Sequence, residues 1–250
     1  MKEIVNKNIN LQSIGAGIKI YVSDQHPFGT DAILLADFAA PKRREIACDM
    51  GTGCGIIPFL WSRYDSPKKI SAIEIQKNAA ELFKMSLEEN SMQDRITLYN
   101  CDIRDIDSSF DNFGRFDLVT MNPPYKPANT GIESADESQR IARHEITCTI
   151  SDTVAAADKL LKFSGRLCIC HRPERLAQII FAMKSKKIEP KRIRFVSNKA
   201  GDEPWLVLIE GRKGAGEGLR IIPELHIRNN DGSWTREMLE IYGDYGDGTK

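Results

Sequence analysis

From Glu45 onward, short apolar runs alternate with stretches of helical periodicity. Ile46-Ala47-Cys48-Asp49-Met50 is apolar almost throughout and is ended by glycines, which predicts a strand buried on both faces. Residues 56–64 read as a helix and 69–74 as a second strand. Over 78–90, Leu82, Phe83, Met85 and Leu87 sit among charges, the pattern of an amphipathic helix. Residues 96–99 and 116–121 add two strands, 153–163 a helix and 165–170 a fifth strand. Residues 176–186 and 192–197 extend the series, and 205–210 is a final strand. Strands separated by helices of this kind imply right-handed βαβ units, hence an α/β fold around a mostly parallel sheet. In such sheets ligands sit outside the carboxyl ends of the strands, where this chain carries Asp49, Glu74, Asp102 and Asn122.

Two regions flank the series. Residues 9–24 read as a β-hairpin turned by glycines. The glycine-rich end of the chain shows little apolar periodicity after Ile222 and is expected to be irregular. With no internal repeat, the pattern predicts one domain: residues 1–40 with the hairpin and a following helix, 41–213 as the core, and 214–250 as an irregular extension.

Composition adds little to this picture. Apolar residues at 41% and charged residues at 28% are ordinary for a globular chain, and 35 basic residues balance 35 acidic ones. Any nucleic-acid footprint must therefore come from local clustering of charge. No apolar run approaches the roughly 20 residues that span a bilayer. The N-terminal residues lack the apolar stretch of a secretory signal, so the expected location is cytoplasmic. The six cysteines show neither a C-x-x-C pair nor metal-ligand spacing, and read as reduced, buried thiols, with Cys168 and Cys170 on one strand face. No metal is expected.

The first chemical signal is Asp49-Met50-Gly51-Thr52-Gly53-Cys54-Gly55, which follows a strand and opens a helix. Glycines there let the backbone turn tightly and come close to a ligand. Glu74, at the next strand end, can accept both hydroxyls of a ribose. Asp102, followed by Ile103, can meet an adenine amine, although an Asp at such a place also serves as a helix cap. Together these favour a nucleoside-bearing cofactor and leave a nicotinamide dinucleotide open.

The second signal, Asn122-Pro123-Pro124-Tyr125, decides against the dinucleotide. Successive prolines stiffen the loop and remove backbone donors, leaving carbonyls free to accept. The Asn122 amide oxygen and the Pro123 carbonyl can then hold both N–H groups of a planar amine, so that its lone pair faces a methyl donor for in-line displacement. Tyr125 can stack on the base. Catalysis of this kind is positioning plus charge complementarity, with no covalent intermediate.

Taken together, Asp-x-Gly-x-Gly-x-Gly, the acidic strand ends and Asn-Pro-Pro-Tyr resemble a class I, S-adenosylmethionine-dependent amino-methyltransferase. Phe28-Gly29-Thr30-Asp31-Ala32-Ile33-Leu34-Leu35-Ala36, Arg143-His144-Glu145, Gly201-Asp202-Glu203-Pro204-Trp205-Leu206 and Arg212-Lys213 narrow the likeness. The chain is similar over roughly residues 9–243 to the bacterial valine-tRNA adenine-37 N6-methyltransferase family. The resemblance implies a Rossmann-like sheet of seven strands, mostly parallel with an antiparallel last strand and helices on both faces. It implies S-adenosylmethionine contacts at Asp49, Gly51, Gly53, Gly55, Glu74, Asp102 and Ile103, and at Gly29, Thr30 and Asp31 over the methionine end. It also implies a catalytic loop from Asn122 to Tyr125 and a tRNA substrate; no obligate protein partner is evident.

Lys184, Lys186, Lys187, Lys191, Arg192 and Arg194, with Arg172 and Arg175 before them, form either a solvated face or a patch that contacts tRNA phosphates. Lys186 and Lys187 are the candidate RNA contacts within it. Arg143 and His144 are candidate substrate contacts, with a structural histidine as the other reading of His144. His26 reads as a solvent-facing loop residue, and the polar stretch between 126 and 140 as a lid or merely a long loop. The loop chemistry alone leaves other planar amines open, namely a ribosomal RNA guanine, a DNA adenine or a protein glutamine amide. A cofactor-binding RNA scaffold without turnover is the reading from another class.

Overall fold

A computed structural model describes residues 8–63, 66–123 and 148–248 of the 250-residue chain. Pro124, Tyr125, Arg143, His144 and the stretch 126–140 lie outside the described residues.

The chain opens with an antiparallel hairpin of β1 (Ile9–Ser13) and β2 (Lys19–Ser23). Next come α1 (Thr30–Ala39), β3 (Ile46–Met50), α2 (Ile56–Ser62), β4 (Lys69–Ile73), α3 (Lys77–Glu89), β5 (Ile96–Tyr99) and β6 (Phe116–Met121). After the undescribed stretch follow α4 (Ile150–Leu160), β7 (Leu161–His171), α5 (Leu176–Ser185), β8 (Ile188–Ser197) and β9 (Leu206–Lys213). The chain closes with β10 (Arg220–Ile221), β11 (Leu225–His226) and α6 (Arg236–Tyr242).

The main sheet runs β10-β8-β9-β7-β6-β3-β4-β5, and β11 also pairs with β8. The pairs β3–β4, β4–β5, β3–β6 and β6–β7 are parallel, whereas β9 lies antiparallel between β7 and β8. Seven strands carry the predicted architecture, and two dipeptide strands added beside β8 bring the sheet to nine. The chain moves outward from β3 to β5 on one side and from β6 on the other. The sheet therefore reverses its winding between β3 and β6, the place where an open α/β sheet leaves a crevice.

Strand periodicity divides the interior into two layers. Ala47, Cys168 and Cys170 join Phe59, Phe83, Met238 and Tyr242 on one face. Cys48, Leu167 and Ile169 join Val154, Leu160 and Met183 on the other. Both faces are covered, which is why these strands read as continuous apolar runs. The hairpin docks on α3, where the Tyr21 amide donates to Ser86 Oγ at 2.9 Å and the Lys19 amide to Asn90 Oδ1 at 3.0 Å.

The helix expected at 153–163 lies instead at Ile150–Leu160 and passes into β7 without a loop. Thr149 and Asp152 form a reciprocal capping box that sets its start. The end of the chain, expected to be irregular, pairs with β8 and forms α6. Thr235 caps that helix, Met238 is fully buried, and the Tyr242 hydroxyl lies 3.1 Å from Thr30 Oγ1. These contacts supply order that local propensity does not. Met238→Ala should therefore destabilise the protein by about 2–5 kcal/mol in urea unfolding, the cost of a buried large-to-small change. A loss below about 0.5 kcal/mol would return this segment to the status of a surface appendage.

Candidate active site

At the reversal point β3 runs into a turn in which Gly51, Gly53 and Gly55 all have positive φ, of 64°, 60° and 94°. A side chain at Gly53 would meet no atom within 4 Å, so the turn offers bare backbone to open space. That space is a cavity of about 680 Å³. Its wall brings together Gly29, Asp31, Asp49, Gly51, Gly53, Glu74, Asp102, Ile103, Asn122 and Pro123, gathered from four strand ends and the start of α1.

Two predicted contacts fall outside this wall. A Cβ on Gly55 would lie 2.1 Å from the ring of Phe83, so its missing side chain makes room for core packing. Thr30 directs its hydroxyl to Tyr242 and ties α1 to α6. Conversely, His26 and Phe28 line the cavity, and His26 is only partly exposed rather than a free loop residue. Ile75, Gln76, Cys101 and Cys148 also line it. The first three neighbour residues already picked out at strand ends; Cys148 lies 27 positions beyond Met121 and carried no signal in the sequence.

Asp49 is the most constrained group of the site. It is 1% exposed, and its Oδ1 accepts from Thr120 Oγ1 at 2.7 Å. Its Oδ2 and the Thr52 hydroxyl are buried without a hydrogen-bond partner. Burial lifts the Asp49 carboxyl to about 7, against the opposing pull of the Thr120 hydroxyl. Glu74, 3% exposed, accepts from the Gly53 amide at 2.8 Å and from the Gln76 amide at 2.7 Å, so the second strand end braces the glycine turn. Asp102 caps a short turn by accepting the Arg104 amide at 2.9 Å, and the Arg104 guanidinium grips both its oxygens at 2.5–3.1 Å. Those bonds to Arg104 hold the Asp102 carboxyl below its usual range. Asp102 is thus both a cap and a cavity wall. Asn122 Oδ1 accepts from the buried Cys170 thiol, with Sγ at 3.1 Å.

Four of the six cations from Lys184 to Arg194 have partners within the protein. Lys184 pairs with Glu189 at 2.8 Å, Arg192 with Glu210 at 2.7 Å, and Arg194 with Glu237 at 2.7 Å. Lys191 donates to the carbonyls of Gly216 and Glu217 at 3.1 Å. Lys186 and Lys187 are exposed, but they join α5 to the start of β8. That turn lies at the edge where the parallel strands begin, opposite the cavity. Arg172 and Arg175 follow the end of β7, at the opposite edge of the sheet from Lys186 and Lys187.

The sequence model of the methyltransferase small domain family matches residues 19–185. The chain belongs to this family. Among its relatives is the tRNA1(Val) (adenine(37)-N6)-methyltransferase of Porphyromonas gingivalis, 29% identical over 191 residues that cover 74% of this chain and 73% of the relative. The protein of the same name from Shewanella sp. (strain MR-4) is 24% identical over 222 residues, covering 88% and 91%. Solved structures share the family fold: a predicted O-methyltransferase from Agrobacterium tumefaciens aligns with a TM-score of 0.70 at 20% identity, covering 85% of this chain and 95% of that one. M. jannaschii TYW2 in complex with AdoMet aligns with a TM-score of 0.57 at 14% identity, covering 82% and 85%.

The raised Asp49 carboxyl has a measurable consequence. The folded group holds its proton up to about pH 7, while the unfolded carboxyl releases it near its ordinary value. Its contribution to stability is therefore complete at low pH and is lost as pH rises through that window. Asp49→Asn, which keeps an acceptor for Thr120 and removes the charge, should melt above the native protein at about pH 8, with the gap closing toward about pH 5. A gap that stays constant across this range would show that the carboxyl titrates normally.

Proposed function

We propose that this chain is a cytoplasmic, S-adenosylmethionine-dependent methyltransferase that modifies the N6 amine of an adenine in tRNA, at position 37 of a valine tRNA, by direct in-line transfer. The observation that carries the reading is the junction of Asn122 and Pro123 with the cavity floored by the glycine turn. The names of the relatives from Porphyromonas gingivalis and Shewanella support the substrate.

The residues present fit the cofactor. Asp31, Asp49, Glu74 and Asp102 surround the cavity with carboxylates, which suits a ligand bearing a sulfonium and an ammonium group. The buried, unpaired Asp49 Oδ2 and Thr52 Oγ1 are polar atoms that a ligand can satisfy. Glu74 would hold the ribose and Asp102 with Ile103 the adenine, while Asp31 and Asp49 would face the amino-acid end. When bound, S-adenosylmethionine supplies an electrophilic methyl group.

The chain's own task is to position the acceptor. Asn122 Oδ1 and the Pro123 carbonyl would supply two acceptors to the cavity that both residues line, the number of N–H groups on an exocyclic amine. Accepting both fixes the nitrogen and aims its lone pair into the cavity. Asn122 must present its oxygen outward, and the Cys170 thiol, donating to that same oxygen from the neighbouring strand, holds the amide in one orientation.

Incubating total tRNA with labelled cofactor and analysing its nucleosides by mass spectrometry should give labelled N6-methyladenosine. Label in protein or DNA with unlabelled tRNA would overturn the substrate. Asn122→Ala should lower kcat by on the order of 100- to 1000-fold, as for a lost transition-state hydrogen-bonding group, with cofactor affinity retained. Turnover at the native rate would remove Asn122 from the mechanism. Cys170 is assigned a positioning role. Cys170→Ala should reduce kcat about 2- to 10-fold, the equivalent of one net hydrogen bond, with the KM for cofactor unmoved. Cys170→Ser should restore the rate, and equal loss in both variants would assign Cys170 to packing alone.

A further inference from the structure

A second cavity, of about 560 Å³, opens beside the first and shares Pro123 and Cys148 with it. Its far wall is built from His171 at the end of β7, from Arg175 just before α5, and from Gln178 and Phe181 on α5. Phe181 is 77% exposed, although a large aromatic ring gains most when covered. The Arg175 guanidinium donates to Gln178 Oε1 at 2.9 Å, so this cation is oriented along the helix face that carries the ring. His171 Nδ1 accepts from the Arg172 amide at 2.8 Å, which fixes this ring in the cavity wall.

We propose that this cavity is a subsite for a nucleotide adjoining the target in a single-stranded RNA segment, with Phe181 stacked on its base and Arg175 meeting its phosphate. The inference rests on the RNA reading above. A nucleotide whose amine reaches Asn122 and Pro123 is covalently tied to neighbours that must lie beside it, and the second cavity begins at Pro123 itself. An exposed ring next to a cation and neutral donors matches what such a neighbour offers: a π face, base edges and a negative backbone. A purely apolar occupant would leave the Arg175 cation and the Gln178 amide facing apolar surface. The subsite also supplies a cation, Arg175, at the edge of the sheet where the transfer takes place, which the lysines at the opposite edge cannot do.

The test uses a tRNA stem-loop and the same stem-loop made abasic at either neighbour of the reactive adenosine. Phe181→Ala should raise the KM for the intact stem-loop about 5- to 100-fold, the loss of one base–aromatic stack, with kcat and cofactor affinity held. Phe181→Tyr should restore it. One abasic stem-loop should cost the native enzyme the same factor and cost Phe181→Ala nothing further. An unchanged KM in Phe181→Ala, or losses that multiply, would overturn the subsite. Fluorescence anisotropy of the labelled stem-loop separates the two readings. Weaker binding by Phe181→Ala without methylation of any RNA by the native protein keeps the subsite and rejects the activity. Methylation by the native protein with equal RNA affinity in Phe181→Ala rejects the subsite alone.

Discussion

One buried hydrogen bond holds the two halves of this site in register. Asp49 on β3 is paired with Thr120 on β6, and the Thr120 hydroxyl donates to the Asp49 carboxylate at 2.7 Å. Two residues beyond Asp49 the glycine turn begins, and two residues beyond Thr120 stands Asn122. The parallel ladder fixes the spacing of the two strand ends, and the side-chain bond locks it at the last turn before both strands leave the sheet. Because the sheet reverses between these strands, their ends leave a crevice, and the glycine corner shares a single cavity with Asn122 and Pro123.

That arrangement places a carboxyl group where burial opposes its charge. The fold tolerates it with one hydroxyl donor and leaves the second oxygen without a partner. Such a group costs stability in the empty protein and gains most from a cationic ligand. One buried charge network, by comparison, is matched within the protein: Arg166 lies between Glu45 at 2.9 Å and Glu210 at 3.1 Å, and Arg192 reaches the same Glu210. The contrast separates a framework network from a group kept unsatisfied at a site.

Much of this was legible in the sequence, for identifiable reasons. Strands 46–50 and 116–121 are legible at their observed bounds because strands covered on both faces read as largely apolar runs. The edge strand 96–99 is legible because the β-branched and aromatic residues Ile96, Thr97 and Tyr99 favour a pleated surface. Strand-end carboxylates were legible because ligand sites of such sheets collect there. Helix α4 was placed three residues late because Leu161 and Phe163 continue its apolar pattern into β7; the Thr149–Asp152 spacing marked the true start. The order of the last segment was hidden because it comes from distant contacts, Tyr242 with Thr30 and Met238 with the core. Gly55 and Thr30 sit within ligand-like motifs, and their contacts with Phe83 and Tyr242 are long-range ones that no local pattern reveals. The ion pairs inside the basic run are hidden from local pattern for the same reason. Its partners Glu210 and Glu237 are 18 and 43 residues away from Arg192 and Arg194.

The central claim is spatial: a methyl donor on the glycine corner and a planar amine on Asn122 and Pro123 occupy one continuous cavity. A crystal structure with S-adenosylhomocysteine and a tRNA stem-loop tests it most directly. The account predicts the thioether over Gly51–Gly53, with one extruded adenine whose N6 lies about 2.6–3.2 Å from Asn122 Oδ1 and from the Pro123 carbonyl oxygen. A ligand seated elsewhere, or an Asn122 amide turned away from the extruded base, would contradict it.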